Sequence, residues 1–254
     1  MSGMCCARTP NMHIMLPLKI LIIATSHGEL GDTGRKTGLW LEELASPYYI
    51  FREEGAVVTI ASPDGGAIPL DPKSESIIVA NSYTKKFLKD PEAIAALTHS
   101  LALSTLNAMD FDLVYLTGGH GAMWDFADNV SLKQLLEDFN RQHKLIAAIC
   151  HGVAALIPLQ NIQGELLVKG RQLTGFSDRE EESSGLTTVV PFLLEAKLVK
   201  QGAIYTKGDN YTSHTITDGN IITGQNPGSS VEMARKIMSY MKLNAPRVEM
   251  PILN

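Results

Sequence analysis

Four unbroken apolar runs constrain this chain more than any other feature: LKILIIAT (18–25), AVVTIASP (56–63), FDLVYLTGG (111–119) and LIAAIC (145–150). Each is rich in Val, Ile and Leu. None has the polar–apolar alternation of a strand with one wet face, so each predicts a strand buried on both sides. Helical patterns separate them. Buried strands alternating with helices predict a parallel sheet covered on both faces, with right-handed crossovers. At 254 residues and 44% hydrophobic content the chain can build one sizeable core.

The first helix is expected over 37–55, with Pro47 kinking or interrupting it and Gly55 stopping it. Turn chemistry fills 64–72. A helix is expected over DPEAIAALTHSLALSTL (90–106), another over 129–143, and a third starting directly at His151 in HGVAALIPL. ELLVKG and RQLTG read as short strands, and SDREEESSG as an acidic segment. TVVPFLLEAKLVKQG reads as a helix. AIYTK, SHTITDG and NIITGQNP read as strands around a DG turn, before a last helix in SSVEMARKIMSYMKL. Residues 64–110 are expected to pack over the sheet edge or the site. With no repeat or linker, residues 16–254 are expected to form a single domain behind a disordered extension over 1–15.

Several function classes drop out. The net charge is −5 and Lys and Arg form no basic run, so nucleic acid is not an expected partner. No apolar run approaches the roughly 20 residues that span a bilayer. The run from Leu16 continues into polar SHGELGDTG without a cleavage site, which argues against a signal peptide and for the cytoplasm. Cys5, Cys6 and Cys150 form no CxxC, and the odd count does not suit a disulfide framework. Seven histidines show no ligand spacing, so no metal is expected. P-loop and GxGxxG fingerprints are absent, and no cofactor is expected.

In open α/β sheets, sites form at the carboxyl ends of strands. Two such ends carry reactive groups: LTGGHGAMWDF after the third run and AAICHGVAAL after the fourth. The second places Cys150 and His151 on a sharp strand-to-helix turn, which lifts a side chain out of the sheet. Amides at a helix N-terminus favour negative charge, so a lowered thiol pKa is expected for Cys150. A lone cysteine is more often a buried structural thiol. The adjacent His and Gly at a strand–helix junction turn the reading toward a nucleophile. Gly152 lets the turn pass close to a neighbouring strand. Gly118 and Gly119 offer amides for an oxyanion hole, and His120 and Trp124 are expected to line the pocket.

TGLWLEELASPYYIF (37–51), TGGHGAMWDF (117–126), AAICHGVAAL (147–156), TGFSDREEE (174–182) and DGNIITGQNPGSS (218–230) together resemble the ThiJ/PfpI superfamily. The resemblance runs from about residue 18 to 240. It implies a class I glutamine amidotransferase-like, flavodoxin-like fold, a three-layer α/β/α sandwich around a mostly parallel sheet. It is most similar to the branch of glutathione-independent glyoxalases (glyoxalase III), which includes stress-induced chaperones and proposed deglycases. By that resemblance Cys150 is the nucleophile and His151 its neighbouring histidine. An acid in GFSDREEE completes the triad: Glu181 by spacing, with Asp178 and Glu180 as alternatives. Glu43 contacts the thiol, unless the register slips to Glu42. Gly119 and His151 supply oxyanion amides.

The implied reaction converts methylglyoxal or a related 2-oxoaldehyde to a 2-hydroxy acid (D-lactate) through a cysteine hemithioacetal. It needs no metal, nicotinamide or glutathione. A homodimer is also implied. Two other readings stay open: a cysteine peptidase or amidase using the same Cys–His–acid set, and a non-enzymatic stress-response chaperone.

Overall fold

The structure, a computed structural model, describes residues 16–244. The extension expected over 1–15, with Cys5 and Cys6, lies outside the described residues. The chain runs β1 (Lys19–Ile23), α1 (Leu41–Glu53), β2 (Val57–Ser62), α2 (Ser82–Phe87), α3 (Pro91–Thr98), β3 (Leu101–Ala102), β4 (Leu113–Leu116), α4 (Ala122–Asp125), α5 (Val130–Arg141) and β5 (Leu145–Ile149). It continues through β6 (Gln172–Leu173), α6 (Asp178–Ser184), α7 (Leu194–Lys200), β7 (Ile204–Tyr205), β8 (Thr215–Asp218), β9 (Ile221–Gly224) and α8 (Ser230–Asn244).

Seven strands form one sheet in the order β3-β2-β1-β4-β5-β9-β8. All pairs are parallel except β8–β9, the expected hairpin around its DG turn. β6 and β7 pair separately. Strand order reverses between β1 and β4: the chain first winds outward through β2 and β3, then returns and winds the other way through β5. Right-handed crossovers in opposite directions put α1 and α5 on opposite faces. α8 packs beside α1, and α5 packs against β4 and β5. Every side chain of β4 and β5 is buried, as continuous apolar runs require of strands covered twice. A sheet of this kind opens its crevice beyond the carboxyl ends of the strands that flank the reversal.

Four local expectations are corrected. Pro47 lies inside α1 without interrupting it. The amide it lacks is the one that would reach the Glu43 carbonyl, one bond of an otherwise continuous ladder. The helix also begins at Leu41, not 37, because residues 37–40 are held extended. Leu39 donates its amide to the Pro69 carbonyl, and Trp40 donates to that of Gly118. The helix expected over 90–106 stops at Thr98, and Leu101–Ala102 joins the sheet as the edge strand β3. Of the two strands read in ELLVKG and RQLTG, only Gln172–Leu173 is one. The segment over 64–110 does cover the sheet edge, as expected, and its residues 71–73 and Val79 also wall the site cavity. The Gly55 stop holds: its φ is +83°, and its amide and that of Ala56 close the last turn of α1.

Backbones converge tightly near the reversal point. Gly119 has φ +92°, and a Cβ there would lie 2.2 Å from the Gly38 carbonyl oxygen and 2.4 Å from the Trp40 nitrogen. Neither atom belongs to a side chain that can swing away. Gly119→Ala is therefore expected to destabilise the fold by about 3 kcal/mol, lowering Tm by roughly 6–12 °C in a circular-dichroism melt. A melt unchanged within error would refute the packing described here.

Candidate active site

β5 ends at Ile149, and the next residue turns sharply. Cys150 has φ +56°, a left-handed conformation uncommon for any residue but glycine. Tight 3₁₀ turns then run over Cys150–Leu156, where an α-helix was expected from His151. The reason is close packing. A Cβ at Gly152 would stand 2.5 Å from the Thr117 carbonyl oxygen, so the segment leaves β5 pressed against the end of β4. Gly152 serves this approach and does not line the cavity.

The thiol is 3% exposed. The amides of Gly119 and His151 donate toward its sulfur, the pair expected for an oxyanion hole. Gly118 is not part of that hole, because its amide donates to Glu43. The expected drop in thiol pKa is not found. Burial, then the charge and hydrogen bond of Glu43, push the thiol well up, and the two amides pull the other way without prevailing.

Glu43 lies in the first turn of α1 and is fully buried. Its Oε2 accepts the Gly118 amide at 2.7 Å. Its Oε1 has no N–H or O–H partner among the described residues, and its carboxyl faces the Cys150 thiol. Burial raises its pKa to about 8 against the hydrogen bonds from Cys150 and Gly118. The thiol and carboxyl are thus a coupled pair: a proton on Glu43 removes the negative charge that most directly opposes a thiolate. Glu42, the alternative register, points elsewhere. It accepts from the Asn81 amide at 2.9 Å at the cavity wall.

Glu181, in α6, is the acid that reaches the histidines. Its Oε2 accepts from His151 Nε2 at 2.8 Å, and its Oε1 from His120 Nε2 at 2.9 Å. Burial opposes its ionisation, but its interactions with the two imidazoles, His151 first, hold it well below the usual carboxylate range. Burial keeps His151 neutral, assisted by neighbouring His120. An anionic Glu181 fixes the proton on Nε2 of each ring, which leaves Nδ1 basic. His151 Nδ1 stands 3.5 Å from the Cys150 sulfur. The alternatives are elsewhere. Glu180 closes a capping box with Ser177 and accepts from Asn226 and the Tyr211 amide, and the Asp178 amide bonds to Glu195. The stretch read as an acidic segment is a helix with Glu180 and Glu181 turned inward.

A cavity of about 840 Å³ opens over these groups, lined by Trp40, Gly119, His120, Cys150, His151, Phe176 and others. Trp124, expected there, stacks on His27 instead, with ring centroids 5.2 Å apart. The pocket tryptophan is Trp40, the residue just before the helix that carries Glu43. Its place one turn before Glu43, in a helix aimed at strand ends, was the available signal. Phe176 lies 4.3 Å from the His151 ring and had no such signal. The donor atoms of His120, His151 and Glu181 lie within 4.8 Å of one another, a possible cation cluster that linear histidine spacing did not reveal. Their mutual hydrogen bonds account for that proximity.

No helix among the described residues is long and apolar enough to cross a membrane. The sequence model of the DJ-1/PfpI family matches residues 37–240. Glyoxalase 3 of Candida albicans is 30% identical over 89% of this chain and all of its own length. A glutathione-independent glyoxalase of Saccharomyces cerevisiae is 27% identical over 90% of this chain and all of its own length. Among solved structures, glyoxalase III of Candida albicans superposes with a TM-score of 0.81 at 29% identity, covering 87% of this chain and 96% of that one. The Rapid Encystment Protein of Francisella tularensis superposes at 0.84 with 39% identity, covering 87% and 98%.

Proposed function

This chain belongs to the DJ-1/PfpI family, and from that premise we propose that it is a glutathione-independent glyoxalase, converting methylglyoxal or a related 2-oxoaldehyde to the 2-hydroxy acid. One observation carries the choice of reaction. A buried carboxyl with its pKa raised to about 8 faces the thiol. A hydrolase needs the Cys–His–acid set alone, whereas an internal redox isomerisation also needs a group that takes a proton from one carbon and returns it to the next.

The Cys150 sulfur attacks the aldehyde carbon and forms a C–S bond, and its proton passes through His151 to the new oxygen. The Gly119 and His151 amides hold that oxygen while it is anionic. Glu43, as carboxylate, removes the C1 proton, giving an enediolate still bound through sulfur. The proton returns from Glu43 to C2 while the C1 hydroxyl proton passes to the C2 oxygen. C1 is thereby oxidised to a thioester and C2 reduced to a carbinol, with no external oxidant or reductant. Water cleaves the C–S bond and releases lactate. Glu181 holds the His151 ring in its working tautomer.

The proposal also includes a homodimer working in the cytoplasm. Its test is purified protein with methylglyoxal and no glutathione. Loss of methylglyoxal with stoichiometric D-lactate is expected. No turnover, together with suppressed aggregation of a client protein, would replace the enzyme reading by the chaperone one. Cleavage of amide substrates without lactate formation would favour the hydrolase.

A further inference from the structure

His120 has no task in the steps above, yet it is built into the site. It is 9% exposed and lines the same cavity as Cys150 and His151. Its ring centroid lies 4.2 Å from that of His151. Its Nε2 is committed to Glu181 Oε1, and Ser184 Oγ donates to the same oxygen at 3.1 Å. Its Nδ1 has no hydrogen-bond partner among the described residues. One carboxylate therefore fixes the tautomer of two imidazoles, and each keeps a basic Nδ1. That of His151 is turned to the sulfur. That of His120 is free for something in the cavity.

The reaction contains one step to which no base has yet been assigned. Once C1 is a thioester on Cys150, a water must lose a proton as it attacks. His151 Nδ1 faces the sulfur, and Glu43 has one oxygen on the Gly118 amide and its task in the C1–C2 proton transfer. We infer that His120 is the catalytic base of this hydrolytic step. Its Nδ1 takes one proton from water, and the water oxygen bonds to the thioester carbon. The carbonyl electron pair moves to the oxygen held by the Gly119 and His151 amides. Collapse breaks the C–S bond and expels the Cys150 thiolate. The proton on His120 then passes to the sulfur, so thioester and water become 2-hydroxy acid and free thiol.

This inference rests on the glyoxalase reading and predicts a distinct kinetic signature. In His120→Gln, kcat for lactate release is expected to fall about 10²-fold, while methylglyoxal is consumed in a burst of one equivalent per active site. After an acid quench and desalting, hydroxylamine should release lactohydroxamate from the variant in near-stoichiometric yield. Quenched wild type should release little. Imidazole should restore turnover to His120→Ala and not to the wild type. Iodoacetamide labelling of Cys150 at the wild-type rate checks that the thiol site is intact, and His120→Asn is a second variant if either of the others misfolds. The inference fails if kcat stays within about threefold of wild type. It also fails if turnover is lost with no trapped acyl group and no rescue, which is what a residue that only positions Glu181 would give. Absence of lactate formation by the wild type would instead defeat the glyoxalase reading itself.

Discussion

Replacing Cys150 by serine is expected to lower kcat/KM for methylglyoxal at least about 10³-fold, because the reaction then loses the one nucleophile able to form the thioester. The hydroxyl is smaller than the thiol but meets the same two amides and the same neighbour in Glu43. The Tm should therefore move by only a few degrees. The pairing of the two readings makes the experiment decisive: an inactive variant with a wild-type melt is a chemical loss. Cys150→Ser that still forms lactate at near wild-type rates would sink the nucleophile assignment and with it the covalent route.

The second large effect is expected at Glu43. Glu43→Gln keeps an oxygen for the Gly118 amide but cannot carry a proton, so kcat should fall by about 10²–10⁴. Glu42→Gln should stay within about threefold, since Glu42 bonds Asn81 away from the sulfur. Comparable losses in both would refute the separation of their roles. The pH dependence has a definite sign. The Glu43 carboxyl is raised from 4.5 to about 8, so the folded protein holds this proton more tightly than the unfolded chain. Its contribution to stability is complete below pH 4.5 and is lost as pH rises through about 8, by at most a few kcal/mol. Glu43→Gln carries no ionising group there, so its melting temperature should decline less than that of wild type between pH 6 and 9. Parallel declines would mean that Glu43 is not desolvated.

The strand half of the fold was legible because continuous apolar runs have one common solution, a strand buried twice. Length was less legible. Leu101 and Ala102 sit in a sequence that continues a helical pattern, and only pairing with Ala61 and Ser62 makes them a strand. Pro47 shows the opposite limit: a local rule expects a kink or an interruption, and α1 runs on through it, packed against α8 and α2. At the site, the placing of Cys150 on a sharp turn beside His151 was readable from its neighbours in sequence. The choices between Glu43 and Glu42, and between Glu181 and Glu180, required knowing which side of a helix faces the sulfur. Trp124 follows the end of β4 closely and so drew the pocket reading, whereas Trp40, far beyond the end of β1, reaches the cavity through tertiary placement. The shared hold of Glu181 on His120 and His151 joins residues 61 and 30 positions apart, which no spacing rule anticipates. The thiol pKa was misjudged because the turn amides are visible in sequence, whereas the desolvation and charge that oppose them come from another helix.

The left-handed backbone at Cys150 sets a limit on how this protein can be improved. A non-glycine residue held at φ +56° costs on the order of 1 kcal/mol or more. Glycine at that position would relieve the backbone while discarding the thiol on which the proposed chemistry depends. A library screened for heat resistance alone would thus drift toward an inactive protein at this position, whereas one screened for turnover would retain the strain. Thermostable variants that keep their chemistry must draw their gains from elsewhere in the chain, because the turn after β5 is where durability and reactivity make opposing demands on a single residue.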